Sequence, residues 1–185
     1  MTVLLTGASG FVGKAVLKTA QQRGLNIRPV FRSMDSAKGH PEAVLVSGLD
    51  GAADWSQALQ GVDVVIHAAA RAHIMREEAL DPLAEYRRVN VEGTLNLARQ
   101  AARAGVRRFV FISSIKVNGE ATVPGGPFTA DDTPAPEDAY GVSKAEAESQ
   151  LKLVAQETGM EVTIIRPPLI YGLGVKGNFA SLVSW

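Results

Sequence analysis

Short apolar runs alternate along the chain with longer stretches in which apolar residues recur at helical spacing. Val3–Thr6 leads into the glycine-rich turn Gly7-Ala8-Ser9-Gly10. Phe11–Arg23 follows, with Phe11, Ala15 and Val16 on one face, and Gly24 is placed to end this first helix. Ile27–Phe31 and the shorter Val44–Val46 read as the second and third strands. Asp54–Leu59 reads as a brief helix opened by an aspartate cap, and Val62–Ile66 as a fourth strand entered through Gly61. Asp81-Pro82 starts a long helix that runs to Ala104, with Val89, Leu95 and Leu97 on its apolar side. Phe109–Ile112 is a fifth strand. Gly119–Asp138 is a long loop rich in Gly, Pro, Asp and Thr, a length that usually carries function in a compact domain. A helix over Ala139–Thr158, closed by Gly159, and a sixth strand, Val162–Ile165, complete the pattern.

Apolar strands without alternation, each followed by a helix, predict a parallel sheet covered on both faces. With right-handed crossovers this is an α/β fold, a Rossmann-type doubly wound parallel sheet. Residues 1–170 account for it as one domain. Residues 171–185, with Gly172, Gly174 and Gly177 ahead of the apolar stretch Phe179–Trp185, fit the scheme poorly. They read as the start of a C-terminal substrate-binding part whose remainder lies beyond this sequence.

Composition narrows the partners. The 185 residues carry 19 basic and 19 acidic side chains, so bulk charge makes no case for nucleic acid or an anionic membrane. No run approaches the roughly 18 apolar residues of a membrane span. There is no cysteine, which removes thiol nucleophiles and zinc–thiolate sites and accords with a cytoplasmic setting. His40, His67 and His73 have no metal-ligand spacing, and no metal is expected.

The turn between the first strand and the first helix carries the first candidate chemistry. In Thr6-Gly7-Ala8-Ser9-Gly10-Phe11-Val12-Gly13, Gly7 permits a sharp turn, Gly10 a close approach of backbone to a pyrophosphate, and Gly13 close packing of helix on strand. The free N–H groups of the helix start, from Ser9 through Gly13, then face the phosphates. No Gly-Lys-Ser/Thr follows, which excludes a nucleotide-hydrolysing P-loop. A carboxylate normally holds the ribose 2′-hydroxyl at the end of the second strand. Phe31-Arg32-Ser33 stands there instead. Arg32 suits a 2′-phosphate, so the expected cofactor is NAD(P) with NADP favoured; the alternatives are a solvated Arg32 and a ribose contact from Asp35. Asp50 is a candidate for the adenine amino group, or a plain turn residue.

The second candidate is Tyr140-Gly141-Val142-Ser143-Lys144, which puts Tyr140 and Lys144 one turn apart on one helix face. A neighbouring ammonium is expected to lower the phenol pKa and fit it for proton transfer near neutral pH. Ser113 and Ser114 close the fifth strand, at the carboxyl edge where ligands bind in such sheets, and offer a hydroxyl to polarise a substrate oxygen.

Together with Arg166-Pro167-Pro168-Leu169-Ile170-Tyr171-Gly172, these segments resemble the extended short-chain dehydrogenases/reductases, the NAD-dependent epimerase/dehydratase family, over nearly the whole chain and in order. The resemblance implies Tyr140 as acid/base, Lys144 as its activator and a cofactor ligand, and Ser114 rather than Ser113 as helper. It also implies that Ala68, Ala69 and Ala70 line the cofactor, that Asn90 is the family's helix asparagine, that Pro167 and Leu169 flank the nicotinamide, and that Asn178 holds substrate diphosphate. Val117-Asn118-Gly119 resembles the family's Val-Tyr-Gly with Asn118 in place of Tyr. Within the family the sequence is most similar to bacterial nucleotide-sugar 4-epimerases and 4-ketoreductases, which implies a nucleotide-sugar substrate and a homodimer through the two long helices. Sugar-nucleotide 4,6-dehydratases carry Asp-Glu where Ile115-Lys116 stands, and rank lower; a non-catalytic NAD(P)-binding scaffold is the remaining alternative.

Overall fold

A computed structural model of the chain describes residues 1–72 and 80–172. Six strands, β1 (Thr2–Thr6), β2 (Asn26–Phe31), β3 (Val44–Leu45), β4 (Val64–His67), β5 (Arg108–Ile112) and β6 (Glu161–Ile165), form one sheet in the order β3-β2-β1-β4-β5-β6. All the pairings are parallel. The chain winds outward from β1 in one direction and then restarts at β4 on its other side. The crevice between the carboxyl ends of β1 and β4 is therefore the topological switch point, where doubly wound sheets bind ligands.

The helices are α1 (Phe11–Gln22), α2 (Met34–Ala37), α3 (Pro82–Tyr86), α4 (Thr94–Arg103) and α5 (Ala139–Thr158), with a π-helical segment, Arg87–Gly93, joining α3 to α4. One face of the sheet buries Leu4, Val65, Phe109 and Phe111 under α4 and α5, where Leu97, Ala101, Ala147, Leu151 and Val154 meet them. The opposite face packs Val3, Leu5, Ile27 and Phe31 against Leu17 and Ala20 of α1. Asp81 and Asp138 cap α3 and α5 by accepting from Ala84 N and Gly141 N. Gly159, in the left-handed region at φ 73°, ends α5.

Three expectations need correction. Asp54–Leu59 is a turn, not a helix: the Asp54 carboxylate accepts from Ser56 N, and Trp55 N donates to Gln100 Oε1, so the segment is fastened to α4 instead of propagating. The fourth strand begins at Val64, because Asp63 N donates to Thr2 O and its carboxylate accepts from Thr2 N. The long helix is interrupted by the π segment. Helices cover both faces as expected, but to different extents among the described residues. Thr163 and Ile165 of β6 point to the α1 side, α1 lies over β1 and β2, and Ile165 stays 44% exposed. The apolar segment Phe179–Trp185 lies outside the described residues.

Candidate active site

The turn after β1 is built by close backbone approach. Gly7 has φ +70°, and a Cβ there would sit 2.6 Å from Ala69 N. A Cβ on Gly13 would sit 2.0 Å from the Gly7 carbonyl oxygen, so α1 rests directly on the turn. Gly10 N donates to Gly7 O at 2.8 Å. Gly10 is the N-cap of α1 and brings no side chain to the helix start, and the first turn of α1 has no acidic residue. The first N–H groups of an uncapped helix need partners, and together with the positive dipole end they fit a phosphate. This cradle fits the diphosphate of a dinucleotide. Ser9, Gly10 and Phe11 are exposed there, Val12 is half-buried, and Gly13 is buried.

The wall opposite is the segment after β4. Ala69 N donates to Thr6 Oγ1, and Ala68 to Ala70 run past the glycine turn with Ala69 buried. Asn90, buried in the π segment, fastens this wall: its Oδ1 accepts from Arg71 N, and its Nδ2 donates to Arg71 O and to Ser143 Oγ. Asn90 thus joins the β4 loop to α5, one residue from Lys144. His67 ends β4 fully buried, with Nδ1 2.7 Å from Thr6 Oγ1 and Nε2 3.0 Å from Thr94 Oγ1. Burial, aided by the Lys144 charge, holds its pKa down to about 3, so it is a neutral packing residue. His73 lies outside the described residues.

At the far end of β2, Arg32 is exposed. Asp35 is exposed too and pairs with Lys38 at 2.6 Å. Asp50 accepts from Ala52 N through Oδ1, and its Oδ2 lies 3.6 Å from Arg88 of the π segment.

Lys144 is buried in α5. Its Nζ donates to Ile112 O at 2.8 Å and lies 4.4 Å from the centre of the Phe111 ring. Burial pulls its pKa down to about 7 against the opposing pull of Glu148. Tyr140 lies one turn earlier, its ring edge-on to Tyr86 at 6.0 Å and its centre 5.9 Å from Lys144 Nζ. The expected fall in its pKa is overturned: burial pushes the phenol up to about 12, Asp138 and Tyr86 add to the rise, and Lys116 opposes it. The physical reason is that Lys144 turns its charge toward β5 and is itself only partly charged at neutral pH. In the cofactor-free chain the phenol keeps its proton.

The two serines after β5 separate. Ser113 is buried and donates to Glu148 Oε1 at 2.5 Å. Ser114 is half-buried and caps a 3-10 turn, Ile115–Val117, by accepting from Lys116 N. Lys116 Nζ bonds Asp138 at 2.5 Å and Glu120 at 2.9 Å, which ties the serine-bearing turn to the start of α5. Asn118 faces inward, donating to Thr129 O and accepting from Arg166, and so pins the long loop. Pro167 O accepts from Ile115 N, and Leu169 is exposed beyond it. Asn178 lies outside the described residues.

Glu148 and Arg166 did not stand out as chemistry in the sequence. The available signal was a carboxylate on the buried stripe of α5, between Ala147 and Leu151 and one turn after Lys144.

Residues 3–184 match the NAD dependent epimerase/dehydratase family. The chain belongs to this family. It is 48% identical over 184 residues to a UDP-glucose 4-epimerase of Vibrio cholerae, covering 98% of this chain and 56% of that protein. It is 35% identical to a 3-beta-hydroxysteroid dehydrogenase of Mycolicibacterium neoaurum, covering 96% and 50%. Among solved structures, a short-chain dehydrogenase/reductase superfamily protein of Agrobacterium tumefaciens with bound NAD superimposes with a TM-score of 0.76. It is 33% identical, over 90% of this chain and 48% of that one. The chain thus spans about half the length of the relatives it matches.

Proposed function

We propose that this member of the epimerase/dehydratase family is a nucleotide-sugar 4-epimerase or 4-ketoreductase acting on a UDP-hexose. Residues 1–170 would bind NAD(P), and residues 171–185 would begin the substrate-binding part. The observation that carries the reading is the Tyr140 ring 5.9 Å from Lys144 Nζ, with that ammonium bonded to Ile112 O at the carboxyl end of β5, two residues before Ser114, in a sheet whose carboxyl edge also holds the uncapped start of α1. The 48% identity to a UDP-glucose 4-epimerase supports the sugar assignment.

NAD(P), when bound, supplies hydride transfer at the sugar carbon and, oxidised, a positive ring charge. The chain supplies position and protons. The N–H groups from Ser9 to Gly13 hold the diphosphate, Ala68, Ala69 and Ala70 form the wall beside it, and Pro167 and Leu169 flank the nicotinamide. Asp50 lies at the adenine side. Asn90 keeps wall and catalytic helix in register. Lys144 Nζ is the donor to the nicotinamide ribose. Tyr140 Oη gives its proton to the C4 oxygen during reduction and takes it back during oxidation. Ser114 Oγ donates to the same oxygen. Ser113 supports the substrate side through Glu148, and Asn178 is the contact to substrate diphosphate.

The expected result of Tyr140→Phe in the full-length protein is a loss of turnover by about 10²-fold or more with NAD(P)H binding nearly intact. Turnover at the unsubstituted rate would remove Tyr140 from the mechanism. Incubation with UDP-hexoses separates the two reactions: interconversion of C4 epimers without added cofactor marks an epimerase, and stoichiometric NADPH consumption a reductase. The 35% identity to a hydroxysteroid dehydrogenase supports a second reading, oxidation of a secondary alcohol that bears no nucleotide. Turnover of a 3β-hydroxysteroid with none of UDP-hexoses would favour it.

The cofactor form is proposed as NADP. Arg32 is exposed at the end of β2, and Asp35 lies beyond it in a solvent-exposed pair with Lys38. NADPH should bind more tightly than NADH, and Arg32→Ala should erase the difference. A tenfold preference for NADH in the unsubstituted chain would overturn this assignment.

A further inference from the structure

Glu148 is the one fully buried carboxylate among the described residues, at 2% exposure, and the proposed chemistry gives it no proton to move. Its two oxygens are nonetheless fully engaged. Arg166 donates through Nε at 2.9 Å to Oε1 and through Nη2 at 2.6 Å to Oε2, and Ser113 donates at 2.5 Å to Oε1. Arg166 is the residue after β6, and Ser113 the residue after β5. Lys144, one turn earlier on α5, is anchored to the preceding residue of β5, through Ile112 O. The lysine and the carboxylate therefore grip consecutive residues at one strand end.

The charges explain why both grips are needed. A buried ammonium is costly unless something nearby compensates it. The other groups facing Lys144 do this poorly. Phe111 offers a ring face, Ile112 a neutral carbonyl, His67 of β4 is neutral, and Tyr140 carries a protonated phenol. Glu148 is the remaining carboxylate, and Arg166 bonds both of its oxygens in turn.

We infer that Glu148 is a positioning residue for Lys144: clamped by Arg166 and Ser113, it locks α5 onto the ends of β5 and β6 and supplies the buried counter-charge one helical turn behind the lysine. The inference rests on reading Lys144 as the lysine of the proposed site, but its test does not use turnover. Consistent with it, Glu148 raises the lysine pKa against burial, leaving it at about 7.

The test is an NMR titration of the cofactor-free chain labelled with 13C at lysine Cε, with Lys144→Met identifying the resonance. In the unsubstituted chain the Lys144 resonance should titrate near 7. A midpoint at about 5, typical of a buried lysine without a counter-charge, would overturn the inference. Glu148→Gln should lower proton affinity tenfold or more, while Glu148→Asp should restore most of it. Because Glu148→Gln leaves the half-buried Arg166 without its carboxylate partner and with only Asn118 to receive it, Glu148→Gln/Arg166→Gln serves where the single variant fails to fold. Its Lys144 midpoint should fall less, because the Arg166 charge that repels the ammonium is removed with the carboxylate. A midpoint unchanged within threefold in the folded single variant, or one that rises in the double variant, would sink the proposal. Failure of Tyr140→Phe to lose turnover would instead strike the proposed reaction and leave the titration result standing.

Discussion

His67 and Lys144 are buried bases whose protonated forms are disfavoured by burial, and the sign of that cost can be followed with pH. For His67 the folded pKa is about 3 against an ordinary 6.5, so between those values the unfolded chain binds the extra proton. Stability therefore rises as pH climbs through this window and is lost on acidification. Above about pH 5 carboxylates titrate little, which leaves histidine to dominate from there to 6.5. Urea denaturation should give a slope approaching ~1.4 kcal/mol per pH unit near the acid end of that range. The slope should largely vanish in His67→Gln; an unchanged slope in that variant would place the proton elsewhere. Lys144 acts with the same sign higher up: from about 7 to 10.5 the unfolded chain again holds the extra proton, and stability again rises with pH. At this scale the sequence showed which residues carry chemistry but not their charge. Tyr140 and Lys144 are legible as a pair from their spacing. The upward push on the phenol depends on its burial, on Asp138 and Tyr86 nearby and on the direction in which Lys144 turns, and none of these is a property of the five-residue motif.

The π segment Arg87–Gly93 is the element that periodicity misjudged. A regular helix from Asp81 to Ala104 accounts for Leu95 and Leu97, but the extra residue of a π turn leaves no mark in an apolar pattern. The segment presents Asn90 to Arg71 and Ser143, and it brings Gly93 against the loop after β3. A Cβ on Gly93 would lie 2.0 Å from Leu49 O, a backbone atom that a rotamer change cannot move. Gly93→Ala should therefore cost about 1–3 kcal/mol or more by overpacking, despite the better helix propensity of alanine. Gly105 sits in the left-handed region at φ +81° with no atom within 4 Å of an added Cβ, so Gly105→Ala should cost only about 1 kcal/mol of backbone strain. Chemical denaturation of the two variants decides the point, and equal losses would mean that the π segment yields. The order of strands, the phosphate turn and both ends of α5 were legible, because glycine placement, aspartate caps and apolar runs act locally. The Asp54–Leu59 turn and the inward-facing Asn118 were not. Their conformations are set by partners far along the chain, Gln100 for Trp55 and Arg166 for Asn118.

Across the whole molecule, the two sides of the sheet hold separate apolar clusters that share only the backbone between them. α1 covers the β1–β2 side, and α4 and α5 cover the other. The phosphate turn belongs to the α1-side cluster through Leu5 and Ala8, whereas Lys144 lies against Phe111 of the other. A dinucleotide reaching from the α1 start to Lys144 would bridge the two. Ligand present at about 100 times its Kd should add about 2.7 kcal/mol to the unfolding free energy, provided that unfolding is one cooperative event. For a chain of this size that corresponds to a rise in Tm of about 5–11 °C. Trp55, 1% exposed, lies in the α4/α5 cluster, so its emission in a Trp185→Phe background reports that side, while far-UV circular dichroism reports the whole. With NADPH, both signals should shift by the same amount and keep coincident midpoints. A shift in the dichroism alone, with the Trp55 transition left in place, would mean that the ligand grips the α1 side only, and the proposed contact between Lys144 and the cofactor would have to be abandoned.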